Sequence, residues 1–100
     1  MIVKTVTREI VDGSAFAALR RQPPTDFLKA TFDLLAFEKQ YCEVFTKVVG
    51  TNFVRTMFFS SDASYNDYLA AEPSQTDNNA LIESRIAGIL SEKTESVEIK

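Results

Sequence analysis

The amino-acid sequence predicts a small α+β domain whose elements follow the order β-α-β-β-α-β. Three observations support this. In the middle of the chain, two runs of β-branched and aromatic residues flank Gly50-Thr51, a pair typical of a two-residue hairpin loop. Short segments at both ends of the chain alternate apolar and polar residues, as half-buried strands do. Between each end segment and the hairpin, apolar residues recur at helical spacing.

The first strand is predicted over residues 2–11, and one set of alternate positions is mostly apolar although it carries Arg8. Asp12-Gly13-Ser14 then provides turn and capping chemistry for a short helix over 15–21. Pro23-Pro24 ends that helix, and an amphipathic helix is predicted from Phe27 to Gln40. The first helical region therefore consists of two pieces that pack against a sheet.

The central hairpin has two unequal faces. With Gly50-Thr51 as the loop, residues that oppose each other have numbers summing to 101. The predicted pairs are Val48 with Phe53, Thr46 with Arg55, Val44 with Met57, and Cys42 with Phe59. That face is apolar except for Thr46 and Arg55. The other face is too apolar for free exposure and too polar for a sealed core, which predicts a dimer interface that includes Phe45, Val54, Thr56 and Phe58.

The second helical region is also predicted in two pieces. Ser61-Asp62 caps a helix over 61–72, and Pro73 is expected to stop it. We expect residues 73–79 to form a mobile loop, followed by a helix over 80–92. A closing strand is predicted over 96–100, at an edge of the sheet.

The assembled order is that of the ferredoxin-like split βαβ arrangement within a single domain, 1–100. In that arrangement a four-stranded antiparallel sheet carries its helices on one face, and the first and third strands lie side by side in the centre. The opposite face of the sheet stays open, and its mixed composition makes it the expected site of dimerisation.

Composition excludes several kinds of protein. A hydrophobic fraction of 45% with 25% charged residues is typical of a globular chain. The net charge of -3, with Arg20-Arg21 as the only adjacent basic pair, argues against nucleic-acid partners. No apolar run reaches the ~20 residues of a membrane helix, so we expect no membrane partner and a cytoplasmic location. The chain has no histidine and one cysteine, which excludes imidazole catalysis, histidine metal sites and an intrachain disulfide. We expect no cofactor and no metal.

The segment FVRTMFFSSDASYNDYLA, residues 53–70, runs a strand into a capped aromatic helix and precedes a further helix and a closing strand. In this and in its overall order, the chain resembles the dimeric α+β barrel superfamily, in particular antibiotic biosynthesis monooxygenase-like domains. The resemblance implies a homodimer whose sheets meet through their open faces. It also implies monooxygenase-like, cofactor-free chemistry, whereas haem degradation through a histidine ligand is excluded here.

Four residues form the candidate ligand-binding site: Arg8, Arg55, Tyr65 and Tyr68. Both arginines fall in the apolar sets of strands that would be neighbours, and buried guanidinium groups need anionic partners. One hypothesis is that they flank a pocket for a small anionic or aromatic molecule, with the tyrosine hydroxyls at its mouth. The alternative is that they form structural ion pairs with Glu38, Glu9 or an acidic helix residue.

Two functions follow from these alternatives. The first is a homodimeric protein with a small-molecule pocket in each subunit. The second is a non-catalytic interaction, assembly or regulatory subunit, including one of viral origin, which would use the open face or the edge strand near Val97. An ordered pocket that contains Arg55 would favour the first, and a filled core with a broad apolar patch would favour the second.

Overall fold

The computed structural model describes all 100 residues. Its four strands are β1 (Ile2–Glu9), β2 (Glu43–Val49), β3 (Asn52–Phe59) and β4 (Thr94–Ile99). Its four α-helices are α1 (Gly13–Arg21), α2 (Thr25–Glu38), α3 (Asp62–Ala71) and α4 (Thr76–Ile86), and a 3₁₀ turn (Glu72–Gln75) joins the last two. The predicted β-α-β-β-α-β order is confirmed, and each helical region consists of two helices.

The strands form one antiparallel sheet in the order β2-β3-β1-β4, so β1 and β3 occupy the centre as predicted. The hairpin register is also confirmed, with Val48 opposite Phe53 and Thr46 opposite Arg55. Gly50 has a φ of 60°, a left-handed conformation that glycine adopts without a side-chain clash. Turn chemistry therefore fixes which side chains share a face of the hairpin.

The helices cover one face of the sheet. Along β1, Ile2, Lys4 and Val6 are buried on the helix side, while the residues between them are partly exposed. A compact core lies at one end of this face, where α2 ends and α3 begins. It consists of Ile2, Phe37, Met57, Phe59 and Tyr68. Helix α1, at the other end, buries none of its residues.

The predicted boundaries of α4 are wrong at both ends. Residues 73–79 do not form the expected loop, because Pro73 is the second residue of the 3₁₀ turn, which continues directly into α4 at Thr76. Proline suits the first turn of a helix, where its missing N–H would have no partner in any case. The helix ends at Ile86 instead of Glu92, two residues before Gly88 adopts a φ of 76°.

None of the helices is long and apolar enough to cross a membrane.

Candidate functional site: a cavity between the sheet and the helices

A cavity of about 440 Å³ lies between the helix-facing side of the sheet and the helical layer. This volume falls within the range of small-molecule sites, roughly 300–1,000 Å³. Its floor consists of inward-facing residues of β1 and β3, and helices α1, α2 and α4 contribute its walls. The cavity lies beside the compact core, on the part of the sheet that the core leaves uncovered.

The walls are mostly apolar. Leu19 of α1, Phe27 and Leu35 of α2, and Ile82 of α4 line them. Phe16 of α1 also lines the cavity, and its ring packs edge-on against Phe53 of β3 with the centroids 5.6 Å apart. Apolar walls of this kind suit the body of a hydrophobic or aromatic molecule.

Both predicted arginines line the cavity, and both are paired with carboxylates. Arg55 Nη2 donates to Glu38 Oε1 at the end of α2, and Glu38 is only 3% exposed. Arg8 Nη2 donates to Glu83 of α4, and Arg8 Nη1 donates to the carbonyl of Ser91 at 3.0 Å. The two arginines therefore line one cavity, as the first hypothesis expects. They also form ion pairs with Glu38 and with an acidic helix residue, as the alternative expects.

Lys4 is a cavity residue that the sequence analysis did not select. It is 7% exposed, and its Nζ lies 3.7 Å from Glu95 Oε2 and 3.8 Å from Glu72 Oε2. These separations exceed the 2.7–3.2 Å of an N–H···O hydrogen bond. The Nζ also lies 5.3 Å from the centroid of the Tyr68 ring. The signal was available in the sequence, since Lys4 belongs to the same alternating set as Arg8.

The two predicted tyrosines occupy different places. Tyr68 is 4% exposed and lines the cavity. Burial, together with the neighbouring Glu72 carboxylate, raises the pKa of Tyr68 well above its usual value, so its hydroxyl stays protonated and can donate a hydrogen bond. Tyr65 lies outside the cavity lining, and its ring packs against Phe59 with the centroids 5.0 Å apart.

The single cysteine is held as a protonated thiol. Cys42 packs beside the core, and its Sγ lies 3.3 Å from the carbonyl oxygen of Glu38, to which it donates. Burial, reinforced by the charge of Glu38, raises the pKa of Cys42 to about 11. A thiol with this pKa is a poor nucleophile at neutral pH.

The opposite face of the sheet exposes an aromatic pair. Phe45 is 57% exposed, and its ring packs edge-on against Phe58 with the centroids 5.7 Å apart. Val54 and Thr56, the other residues of the predicted interface, lie on the same face and are partly exposed. We call the surface formed by Phe45, Val54, Thr56 and Phe58 the open-face patch.

Comparisons with known proteins find proteins of similar structure and none of similar sequence. No protein-family model matches the sequence, and a search of curated proteins gave no match. A candidate antibiotic biosynthesis monooxygenase from Deinococcus radiodurans superposes with a TM-score of 0.64 at 12% identity, covering 100% of this chain and 92% of that one. A candidate antibiotic biosynthesis monooxygenase from Nitrosomonas europaea gives 0.56 at 12% identity, covering 100% and 98%.

An uncharacterised NIPSNAP domain protein from Burkholderia xenovorans is similar to the same degree, with a TM-score of 0.57 at 19% identity and coverage of 100% and 94%. The chain therefore has the fold of antibiotic biosynthesis monooxygenase-like and NIPSNAP proteins, and the resemblance predicted from its sequence is confirmed at the level of the fold.

Proposed function

We propose that this protein is a homodimer that binds a small molecule, largely apolar with an anionic or aromatic character, in the cavity of each subunit. The observation that carries the proposal is the cavity itself. Apolar side chains form much of its helical walls, and charged and hydrogen-bonding side chains also face the space, a combination found in small-molecule sites. Among those groups are Arg8, Arg55 and the neutral hydroxyl of Tyr68.

The open-face patch supports the dimer. Phe45 of the edge strand β2 and Phe58 of β3 expose aromatic surface on the sheet face that no helix covers. Burying such rings against a second copy removes apolar area from water, which stabilises association. In this arrangement the open faces of two sheets pack together, and each cavity stays on the outer, helix-covered side of its own subunit.

Monooxygenase-like, cofactor-free chemistry stays a prediction of the resemblance. Two of the similar structures are described as candidate antibiotic biosynthesis monooxygenases. In such a reaction the cavity of this protein would position an electron-rich substrate, with the Tyr68 hydroxyl as a hydrogen-bond donor. Oxygen uptake by the protein mixed with an electron-rich phenol tests this step separately from binding.

A non-catalytic interaction protein is the second candidate, and the exposed Phe45 favours it. That function requires a surface for another protein and no internal site. The cavity beside Arg55 makes ligand binding the better supported of the two.

Binding is tested with a neutral fluorescent probe, methyl anthracene-2-carboxylate, titrated into the full chain. We expect saturable binding at one site per subunit. Leu35→Trp adds an indole ring to the cavity wall and should weaken binding at least tenfold. Leu69→Trp is the matched control, because Leu69 is 45% exposed on α3 and lies outside the cavity lining. Its affinity should stay within about twofold of the wild-type value. Undetectable binding by the wild-type protein, or equal affinity for Leu35→Trp, would overturn the proposal.

A further inference from the structure

Three cationic residues of the two central strands face the cavity: Lys4, Arg8 and Arg55. The two arginines each donate a hydrogen bond to a carboxylate. Lys4 is as deeply buried as any charged residue but one, and its Nζ approaches no carboxylate oxygen more closely than 3.7 Å. Its three N–H donors are therefore available to a group that enters the cavity.

The residues around Lys4 allow a ligand anion to replace its two carboxylate neighbours. Glu72 and Glu95 lie 3.8 and 3.7 Å from its Nζ, and their side chains are 43% and 37% exposed. When another anion approaches Lys4, water can solvate these carboxylates, and Glu95 also keeps its ion pair with Lys93, whose Nζ lies 3.1 Å from Glu95 Oε1. The ring of Tyr68 holds the ammonium from another direction through a cation–π contact. An anion that replaces the two long contacts would gain short, charge-assisted hydrogen bonds.

The charge of the lining is consistent with a monoanionic ligand. Five cationic and four acidic side chains line the cavity, an excess of one positive charge. The cations are Lys4, Arg8, Arg20, Arg55 and Lys93, and the acids are Glu38, Glu72, Glu83 and Glu95.

The strand register places Lys4 towards one end of an elongated space. Lys4 lies opposite Met57 and Arg8 lies opposite Phe53, so Lys4 and the Phe53 end of the floor are four residues apart along β1. At ~3.3 Å per residue this is about 13 Å. The apolar side chains of Phe16 and Phe27 line the cavity as well. The space thus offers a cation to one end of a ligand and apolar walls to the rest of it.

We propose that Lys4 is the anion-recognition residue of the cavity and that the ligand class is an apolar or aromatic carboxylic acid of about this length. The inference rests on the proposed function and specifies it. The carboxylate lies against the Lys4 ammonium, while the hydrophobic body extends beneath α1 and α2 towards Phe53. Arg8 and Arg55 then keep their carboxylate partners and shape the floor.

The test compares anthracene-2-carboxylate with its methyl ester, which lacks the negative charge and carries one additional methyl group. The wild-type protein should bind the acid more tightly than the ester. Lys4→Met keeps the side-chain length and removes the charge. It should weaken binding of the acid tenfold or more, the effect expected for a lost hydrogen bond to a charged group, and change ester binding by less than about threefold. Lys39→Met, at an exposed lysine just after α2 and outside the cavity lining, carries the same change in net charge and should bind both probes as the wild type does.

The outcomes separate the two proposals. If neither probe binds the wild-type protein, both the proposed function and the role of Lys4 fail. If both probes bind and Lys4→Met retains wild-type affinity for the acid, the role of Lys4 fails and the cavity remains a ligand site.

Reductive methylation of the wild-type protein gives an answer that needs no variant. The acid, but not the ester, should slow modification of Lys4 relative to Lys29, and equal rates with both probes would overturn the assignment.

Discussion

The ion pair between Arg55 and Glu38 shows how single residues shape the cavity floor. Glu38, at the last position of α2, is 3% exposed, and Arg55 reaches it from the centre of β3. A buried carboxylate without its partner is costly, so the pair fixes the end of α2 above the sheet. The same residues thereby hold the helix in place and contribute polar groups to the site.

Arg55→Met should destabilise the protein by about 3 kcal/mol, because it leaves the Glu38 carboxylate buried without its guanidinium. Urea unfolding measures this loss. Lys29→Met is the control, since it breaks the exposed ion pair of Lys29 with Asp33 and should change stability by less than ~0.5 kcal/mol. Unchanged stability of Arg55→Met would contradict a structural role for the buried pair.

The sequence predicts which strand side chains face the cavity better than it predicts which helix side chains do. The alternation of β1 and β3 placed Arg8 and Arg55 on one face, because a strand leaves a side chain only two directions. Tyr65 and Tyr68, three residues apart on α3, share a helix side, but only Tyr68 lies over the cavity. The exact rotation of a helix depends on packing that no local pattern encodes. Lys4 was missed because its set was judged by its arginine alone.

The β2–β3 hairpin is the element whose structure is most clearly determined by its local sequence. Gly50 has a positive φ, and the register that follows from this turn puts Arg55 on the cavity side. A different turn would shift the pairing by a residue and exchange the faces of one strand. The hairpin was therefore predictable residue by residue.

Gly50→Ala should lower the free energy of unfolding by about 1 kcal/mol, because an L-residue at this φ is strained. Gly13→Ala is a matched control at a helical position of α1 with a negative φ and no atom within 4 Å of the added methyl group. It should be neutral or slightly stabilising. Urea unfolding compares the stabilities of the two variants, and equal changes in the free energy of unfolding would argue against a left-handed conformation at Gly50.

The beginning of α4 could not be predicted from the sequence, because proline occurs both after the end of a helix and in the first turn of one. In the sequence Pro73 indicates a helix stop, although proline also fits the first turn of a helix, and here it lies in the first turn of the 3₁₀ segment that leads into α4. The apolar residues Ile89 and Leu90 continue the helical spacing, but Ile10 pairs with Leu90 through an isolated antiparallel bridge. Tertiary pairing overrides local periodicity at that point.

The sheet separates two surfaces of the molecule, and we propose a different role for each. Its helix-covered face bears the cavity, and its other face bears the open-face patch. The fold and its open face followed from the sequence, because alternation and turn chemistry are local. The cavity volume did not, because it depends on how far four helices stand from the sheet.

We expect the proposed dimer to become a monomer at micromolar concentration in the variant Phe45→Glu, since this change places a charge within the open-face patch. Sedimentation equilibrium measures the change. Phe32→Glu is the control, because Phe32 of α2 is similarly exposed, at 62% against 57% for Phe45, but lies on the helical layer. It should leave the assembly unchanged. A monomeric wild-type protein, or an undisturbed Phe45→Glu dimer, would contradict association through the open face.

The most direct measurement is a crystal structure of the protein with anthracene-2-carboxylate. We predict that the probe lies between the sheet and α2, with its carboxylate within hydrogen-bond distance of Lys4 Nζ and its rings against Phe16 and Phe27. Two copies of the chain should pack through their open faces in the same crystal. A probe bound only on the open face, or helices that close onto the sheet and leave no room for it, would contradict the account.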